Sequence, residues 1–273
     1  MENFILPLGT NGFYPSHNRH TMCFFLCVGD QAILFDAGTG LARLNDKKIQ
    51  KIIRPFNKLS IILSHYHLDH IIGLSYLSSI NWIDKIDIYG PAPPFVETTP
   101  QKAFSQLISP PISSMNFVDY PFDINIYDIY KPNIIIGSLD ITVWPQTHPG
   151  GSIGIMLNQD IAFVTDTAID RSTVHNYSNA RVLLHEVWLT DEEGQTNCTT
   201  LGRHSSVSEV AEIAKISNTR FLLPIHHHPS RTQEELISIS NKIQHLSGTR
   251  TIILEEGQVY LLDNFENHTP SHD

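Results

Sequence analysis

The chain has 273 residues, of which 41% are hydrophobic and 17% charged, and its formal net charge is −10. This composition is typical of a globular protein with a large buried core. Because proteins bind nucleic acids chiefly through positive charge, the acidic balance disfavours a large RNA as a partner. Three cysteines provide neither a disulfide framework nor the spacing of a zinc finger. The N-terminus carries neither a basic leader nor a long apolar stretch, so we expect a cytoplasmic protein without membrane contact.

The first half of the chain alternates short strand signals with turns rich in Gly, Asn and Asp. An almost continuous apolar run, LSIIL at 59–63, predicts a strand covered on both faces, and the sequence from Asp69 onward has apolar residues at helical spacing. Residues 91–121 are rich in Pro and Ser, so we predict a loop region there with one short helix at 102–108. The other elements predicted in this half are strands at 4–8, 22–28 and 32–35 and a helix at 41–57.

The second half contains more strands than helices. The elements predicted in it are strands at 134–136, 139–144, 153–157, 161–164, 182–184 and 221–225, helices at 205–216 and 233–243, and a closing hairpin at 252–262. No internal repeat or linker interrupts the pattern, so we predict a single domain over residues 1–273. The order of elements predicts an α/β fold in which two sheets pack face to face with helices outside.

Four potential metal ligands lie within six residues, directly after the apolar run at 59–63. His65 and His67 are two apart in an extended segment, so their side chains point the same way and two imidazoles can reach one cation. Asp69 and His70 follow where the chain turns into a helix. The segment is too short to wrap all four groups readily around one tetrahedral ion, which indicates a second ion nearby. A solvated histidine-rich turn is the alternative, and the apolar segments on both sides disfavour it.

The remaining ligands must come from elsewhere in the chain. His148, Asp166 and His226 each follow a predicted strand. Each of them alone would more often be a turn or surface residue. Together they fit a site built on loops that a rigid sheet holds in place.

The sequence HYHLDH at 65–70 resembles the HxHxDH signature of the metallo-β-lactamase superfamily, and the three later candidates follow in that family's order. LFDAGTG at 34–40 resembles the early Asp-Ala-Gly turn of the same family. The resemblance implies a four-layer αββα fold, with two mixed β-sheets and helices outside, and two Zn²⁺ ions per chain, although the same donors accept Mn²⁺ or Fe. The implied ligands are His65, His67 and His148 for one ion and Asp69, His70 and His226 for the other, with Asp166 bridging and Asp36 supporting the ligands.

Two further segments narrow the resemblance to one branch of the family. LLHEVW at 183–188 and RHSSVSEVAEIA at 203–214 resemble the paired HEAT and HST motifs of tRNase Z and its phosphodiesterase relatives, which implies a proton shuttle formed by Glu186 and His204. HPGGSIG, VTDT and HHHP resemble a bacterial branch described as cyclic-nucleotide phosphodiesterase-like. His228 departs from the Asp that is usual in that branch.

The chemistry that these parts imply is hydrolysis of a phosphodiester. A hydroxide shared by the two metals is expected to attack phosphorus, with Asp69 counted among the catalytic residues as well as the ligands. His204, oriented by Glu186, is expected to donate a proton to the leaving oxygen.

The distance along the chain from His148 to Asp166 bears on the size of the ester. Some tRNase Z enzymes carry a tRNA-gripping arm between the corresponding residues, but here only 17 residues separate the two, enough for one hairpin. The loop region at 91–121 has one lysine and no arginine. We therefore expect a small phosphodiester, with a cyclic nucleotide as the leading candidate. The alternatives are a tRNA 3′-end endonuclease, a metal- or ligand-binding module without catalysis and, less favoured, a lactonase or thioesterase.

Substrate contacts and assembly are the last features for which the sequence provides expectations. His20 in the first loop, Ser152 in the turn after His148, and His228 after the last ligand are candidate substrate contacts. Ser230 and Arg231 are offset by one residue from the Ser and Arg that follow the last His of tRNase Z. A homodimer is expected only by analogy with relatives.

Overall fold

A computed structural model describes residues 2–196 and 204–267, and the strands in these ranges form two sheets of seven strands each. The chain divides into two compact units with one sheet in each. The first unit contains the residues up to Tyr130 together with Glu255–Leu262, and the second contains Lys131–Leu254 and the residues after Leu262. Both sheets combine parallel and antiparallel pairs, so the predicted α/β fold with two mixed sheets is confirmed. The single-domain assignment stays a prediction.

The sheet of the first unit has the strand order β14-β1-β2-β3-β4-β5-β6. Its strands are β1 Phe4–Gly9, β2 Cys23–Val28, β3 Gln31–Phe35, β4 Lys58–Ile62, β5 Lys85–Pro91, β6 Asp123–Ile129 and β14 Tyr260–Leu261. The four strands from β3 to β6 are parallel to one another, and β3 is antiparallel to β2. β4 lies between β3 and β5, which explains why its sequence is apolar on both faces.

Helices of the first unit pack their apolar residues against this sheet. They are α1 Lys47–Ile53, α2 Leu68–Ile71 and α3 Pro100–Leu107, with 3-10 helices at Thr39–Asn45, Ile72–Ser79 and Phe117–Asp119. Leu41, Ile53 and Leu74 are fully buried in the same core cluster as Phe25 and Ile61. Cys23 and Cys27 lie in that cluster, as small core residues.

The sheet of the second unit has the strand order β13-β12-β11-β10-β9-β8-β7. Its strands are β7 Asn133–Ile136, β8 Leu139–Gln146, β9 Ser152–Leu157, β10 Ile161–Val164, β11 Val182–Glu186, β12 Phe221–Ile225 and β13 Arg250–Thr251. The helices are α4 Asp191–Thr196, α5 Val207–Ile216 and α6 Gln233–Ser247, with a 3-10 helix at Arg171–Asn176; another, Leu262–Asn267, begins at the last residue of the first unit. The strands from β10 to β13 are parallel.

Helices α5 and α6 begin at the residues that their sequences indicate. Ser206 caps α5 and exchanges hydrogen bonds with Glu209, while Thr232 and Glu235 do the same for α6. α6 ends at Gly248, whose φ of 75° is the left-handed conformation that glycine adopts without strain. No helix in the described ranges has the length and apolar character needed to span a membrane.

Several predicted elements differ in the structure. The helix predicted at 41–57 is a 3-10 helix followed by α1, and the helix predicted from Asp69 is one turn of α-helix that continues as a 3-10 helix. Strands β5 and β6, on either side of the Pro-rich region, were not predicted. The closing hairpin at 252–262 is wrong, because β13 pairs with β12 and β14 pairs with β1, in different sheets. Periodicity identifies a strand but not its partner.

An ion-pair cluster around the buried carboxylate of Asp87 joins three strands of the first sheet. The Asp87 carboxylate on β5 lies 2.7 Å from Nζ of Lys58 on β4 and accepts a hydrogen bond from Asn125 on β6. Burial alone would raise the pKa of Asp87, but the hydrogen bonds and the charges of Lys58 and Lys85 outweigh burial and lower this pKa. The cluster therefore favours the charged carboxylate in the folded chain.

We expect Asp87→Asn to lower the free energy of unfolding at about pH 7 by about 1 kcal/mol, since Lys58 is partly exposed. A carboxylate with a depressed folded pKa contributes stability above about pH 4 and loses it as the pH falls. The difference between the two proteins in urea unfolding should therefore shrink by about pH 3. Asp84→Asn, an exposed matched control, should have little effect; equal losses for both variants would contradict the cluster's role.

Candidate metal centre

The four clustered ligand candidates lie at the carboxyl end of β4, within the first unit. His67 is the residue that precedes α2, so the turn from strand to helix falls inside the motif. The imidazole rings of His65 and His70 are buried, and their centroids are 4.2 Å apart; the ring of His67 lies 4.5 Å from that of His65. His70 Nε2 lies 3.3 Å from Asp69 Oδ2. The structure thus brings the four predicted residues of this motif together.

Asp36 holds this cluster from the end of β3. Its buried carboxylate accepts hydrogen bonds from the backbone N–H and the hydroxyl of Ser64, at 2.7 and 2.9 Å, and lies 2.7 Å from His70 Nδ1. Since a carboxylate only accepts, Nδ1 of His70 carries the proton and Nε2 is left as the metal-binding nitrogen. The Ser64 hydroxyl also lies 2.9 Å from His65 Nδ1. Asp36 therefore contacts both the His70 ring and the serine beside His65.

The three later ligand candidates lie together in the second unit. Asp166 and His226 follow the parallel strands β10 and β12, whose carboxyl ends are at the same edge of the sheet, and His148 follows β8. Asp166 Oδ1 lies 3.1 Å from His226 Nε2, and Oδ2 of the same carboxylate lies 3.4 Å from His148 Nε2. Each oxygen thus faces a different imidazole, which is the arrangement that a bridging carboxylate requires.

Glu186, which is fully buried at the end of β11, pairs with the partly exposed His204. Glu186 Oε2 lies 2.8 Å from His204 Nδ1, and Oε1 accepts hydrogen bonds from the backbone N–H groups of Thr167 and Ser205. Burial opposes ionisation of Glu186, but the charge of His204 and hydrogen bonds from His204 and His226 outweigh it and lower the pKa of Glu186 to about 2. The carboxylate is therefore charged across the physiological range and fixes the orientation of the His204 ring.

Trp188 is a site residue that the sequence reasoning missed. Its ring stacks on His204, with centroids 4.8 Å apart and planes 20° apart, and lies 5.1 Å from His226 and 4.7 Å from His228. A large aromatic residue two positions after Glu186 was the signal that the sequence contained. Trp188 packs against the imidazoles on one side of the cluster and limits the rotation of the His204 ring.

The predicted substrate contacts have different surroundings. Ser152 is fully buried and its hydroxyl donates to the backbone oxygen of Asp166 at 2.8 Å. Ser152 therefore supports the loop that carries Asp166, and the expectation that it contacts substrate is wrong because its hydroxyl is not exposed. His20 is half-buried, with Nδ1 3.2 Å from Thr39 Oγ1; burial, followed by the Arg43 charge, lowers its pKa. His228 Nδ1 lies 2.8 Å from the hydroxyl of Ser230.

The chemistry of the donors fits a divalent metal ion. Both units offer imidazole nitrogens and carboxylate oxygens, which Zn²⁺, Mn²⁺ and Fe accept. In the second unit, one ligand atom from each of Asp166, His204 and His226 lies within 4.8 Å of the others. His204 therefore lies beside the ligand candidates Asp166 and His226.

Mixed sheets with His and Asp clusters at the carboxyl ends of their strands are typical of a metal-binding protein of the α/β class. The family described as Metallo-beta-lactamase superfamily matches residues 18–236, and the chain belongs to that superfamily. The sequence-based assignment to this family is confirmed.

Similar proteins include Ribonuclease Z enzymes. The enzyme of Thermococcus kodakarensis is 26% identical over 157 residues, covering 56% of this chain but only 45% of the relative. The enzyme of Methanothermobacter thermautotrophicus is 22% identical over an alignment of 286 residues, covering 84% of this chain and 88% of the relative.

Solved structures share the fold. The metallo-β-lactamase fold protein YhfI of Bacillus subtilis superposes with a TM-score of 0.73 at 19% identity, covering 95% of this chain and 99% of that one. The short form of human tRNase Z gives 0.67 at 19% identity, with 94% and 98% covered, and a diphosphatase of the PhnP family gives 0.69 at 13% identity, with 94% and 97% covered. Likeness at these identities shows the fold alone.

Proposed function

We propose that this hydrolase is a phosphodiesterase that cleaves a small phosphodiester such as a cyclic nucleotide. The proposed enzyme uses two metal ions, with Zn²⁺ as the leading candidate. The pair of buried Glu186 and partly exposed His204 carries the proposal, because an imidazole held by a charged carboxylate is suited to protonating a leaving oxygen. Lactone and thioester hydrolysis needs no such pair. A cytoplasmic location and a homodimer stay predictions of the sequence.

The ligands proposed for the two ions are those of the family resemblance. They are His65, His67, Asp69 and His70 in the first unit and His148, Asp166 and His226 in the second. When bound, the metals supply an activated water and neutralise charge on the phosphoryl oxygens. Asp36 keeps Nε2 of His70 available to the metal by accepting the proton of Nδ1.

The residues around His204 perform the proton transfer. The contact of Glu186 Oε2 with Nδ1 makes Nε2 the ring nitrogen that faces away from the carboxylate and can donate to the leaving group. Stacking on Trp188 keeps the ring in that orientation. The backbone N–H groups of Thr167 and Ser205 fix the carboxylate itself, so the donor needs little reorganisation.

The segment between His148 and Asp166 supports a small substrate. It consists of the antiparallel strands β9 and β10 joined by a tight turn in which Asn158 and Gln159 have φ of 52° and 55°. The hairpin expected from the sequence is confirmed, and it includes no extended arm.

The second candidate function is tRNA 3′-end cleavage, which the Ribonuclease Z relatives favour.

Turnover of a simple diester tests the proposal. Zinc-loaded protein should hydrolyse bis-p-nitrophenyl phosphate and at least one cyclic nucleotide, and should leave a lactone and a precursor tRNA intact. Removal of the metal with a chelator should abolish turnover, and added Zn²⁺ should restore it. Cleavage of the precursor tRNA alone would favour the second candidate, and inertness toward every diester would refute the phosphodiesterase assignment.

A further inference from the structure

The first loop of the chain, residues 10–20, exposes two large aromatic side chains. Phe13 is 70% exposed and Tyr14 is 47% exposed, and their rings form an edge-to-face pair with centroids 5.2 Å apart. Single exposed apolar residues are common on protein surfaces, but an adjacent aromatic pair on an irregular loop is less so. A pair of this kind offers ring faces to a flat ligand.

This loop is held rigidly in a strained conformation. Phe13, His17 and Asn18 have φ of 62°, 49° and 61°, a region that residues other than glycine rarely adopt. Hydrogen bonds within the loop join the Asn11 side chain to the Ser16 hydroxyl at 3.0 Å and to Arg19 Nε at 2.9 Å. The surrounding structure therefore fixes the backbone that presents the two rings.

A buried carboxylate fastens both ends of the loop. Glu256 Oε1 accepts the backbone N–H of Thr10 and of His20, each at 2.9 Å, and Oε2 pairs with Arg43 at 2.9 Å. All of these groups belong to the first unit. Since the loop is fixed before any ligand arrives, binding to its rings loses little conformational entropy.

One contact ties the aromatic pair to the predicted centre. The backbone N–H of Phe13 donates to Asp69 Oδ2 at 2.7 Å, so the residue that carries the exposed ring touches a ligand candidate directly. A molecule whose phosphate is bound beside Asp69 would therefore have these rings within reach of the rest of its structure.

We propose that Phe13 and Tyr14 form a stacking platform for the aromatic base of a nucleotide substrate. The proposal rests on the proposed phosphodiesterase function. It specifies the substrate class as nucleotides, in preference to phosphate esters that lack an aromatic base. Two side chains are too small an area for a stable protein interface, which needs about 800 Å² on each partner, whereas one base covers them. Because every base has a π face, the platform selects for a base and not for which base.

Binding of the product analogue AMP tests the platform, with ribose 5-phosphate as the matched ligand without a base. Calorimetry on the zinc-loaded protein should show AMP bound at least roughly fivefold more tightly than ribose 5-phosphate. Phe13→Leu should remove most of that preference and leave the affinity for ribose 5-phosphate unchanged. Phe13→Trp should keep the preference, which shows that an aromatic ring and not mere bulk is required.

Tyr130→Leu is the control, because it removes an aromatic side chain of similar exposure (55%) elsewhere in the first unit. It should leave the preference for AMP intact. Equal affinity for AMP and ribose 5-phosphate in the unmodified protein, or a preference that survives Phe13→Leu, would overturn the platform even if diester hydrolysis is found. Loss of hydrolysis of every diester would instead count against the phosphodiesterase function, so the two failures are distinguishable.

Discussion

His204→Ala and Glu186→Gln should each lower kcat for diester hydrolysis by roughly 10² to 10⁴, with the bound metal unchanged. His204 is the member of the pair with a proton to donate, and Glu186→Gln removes the charge that orients the His204 ring. The effect should be largest for esters with poor leaving groups, since a good leaving group needs no proton. Steady-state kinetics with p-nitrophenyl and alkyl diesters, together with metal analysis of each variant, measures both quantities.

His245→Ala provides the control, since it removes an exposed histidine on α6 and should leave kcat within experimental error. An unchanged rate for His204→Ala toward an alkyl ester would remove the shuttle assignment. Loss of metal in that variant would show that His204 acts as a ligand instead.

The pair of Glu186 and His204 makes the free energy of unfolding depend on pH. The folded pKa of Glu186 is depressed to about 2, so its contribution is complete above the ordinary value of about 4.3 and is lost as the pH falls below it. Glu186→Gln should flatten that part of the pH dependence of unfolding.

Asp36→Asn should lower the affinity for Zn²⁺ by roughly 10- to 100-fold and the free energy of unfolding by about 2 kcal/mol. The carboxylate accepts from both donors of Ser64 and from His70, and an amide has one oxygen and brings an N–H against those donors. The His70 ring then loses the contact that fixes its tautomer. Competition with a chromophoric chelator measures the affinity, and urea unfolding measures the stability.

Asp84→Asn again serves as the matched control, because it makes the same chemical change at an exposed position of the same unit. It should alter neither quantity. Zinc affinity unchanged by Asp36→Asn would contradict the orienting role, while a loss of stability alone would leave Asp36 as a structural residue.

The ligand motif could be predicted because its information is local. Residues 65–70 place their donors by strand and turn geometry, and β4 before them needed only an apolar run to be recognised. The candidates His148, Asp166 and His226 lay at strand ends, and the structure brings these three together in the second unit. Here the family resemblance supplied what spacing alone could not, namely which strand ends belong together.

Contacts between distant segments could not be predicted in this way. The sequence contains Phe13 and Asp69, but nothing in it says that the N–H of one meets the carboxylate of the other across 56 positions. The sequence makes Ser152 a candidate substrate contact in the turn after His148, whereas the fold buries its hydroxyl against the backbone of Asp166. The partners of β13 and β14 were likewise set by the sheets and not by the two short runs themselves.

The sequence by itself determined the class of fold and the metal-binding motif, because those depend on periodicity and on donors close together in the chain. The pair of Glu186 and His204, 18 positions apart, came instead from the family resemblance. Only the tertiary structure decided which groups contact the site residues. Asp36 contacts the His70 ring, Trp188 stacks on His204, and the backbone of the first loop donates to Asp69. Hydrogen bonds and ring stacking act over a few ångströms of space and are indifferent to separation along the chain, so they become visible only once the chain is folded.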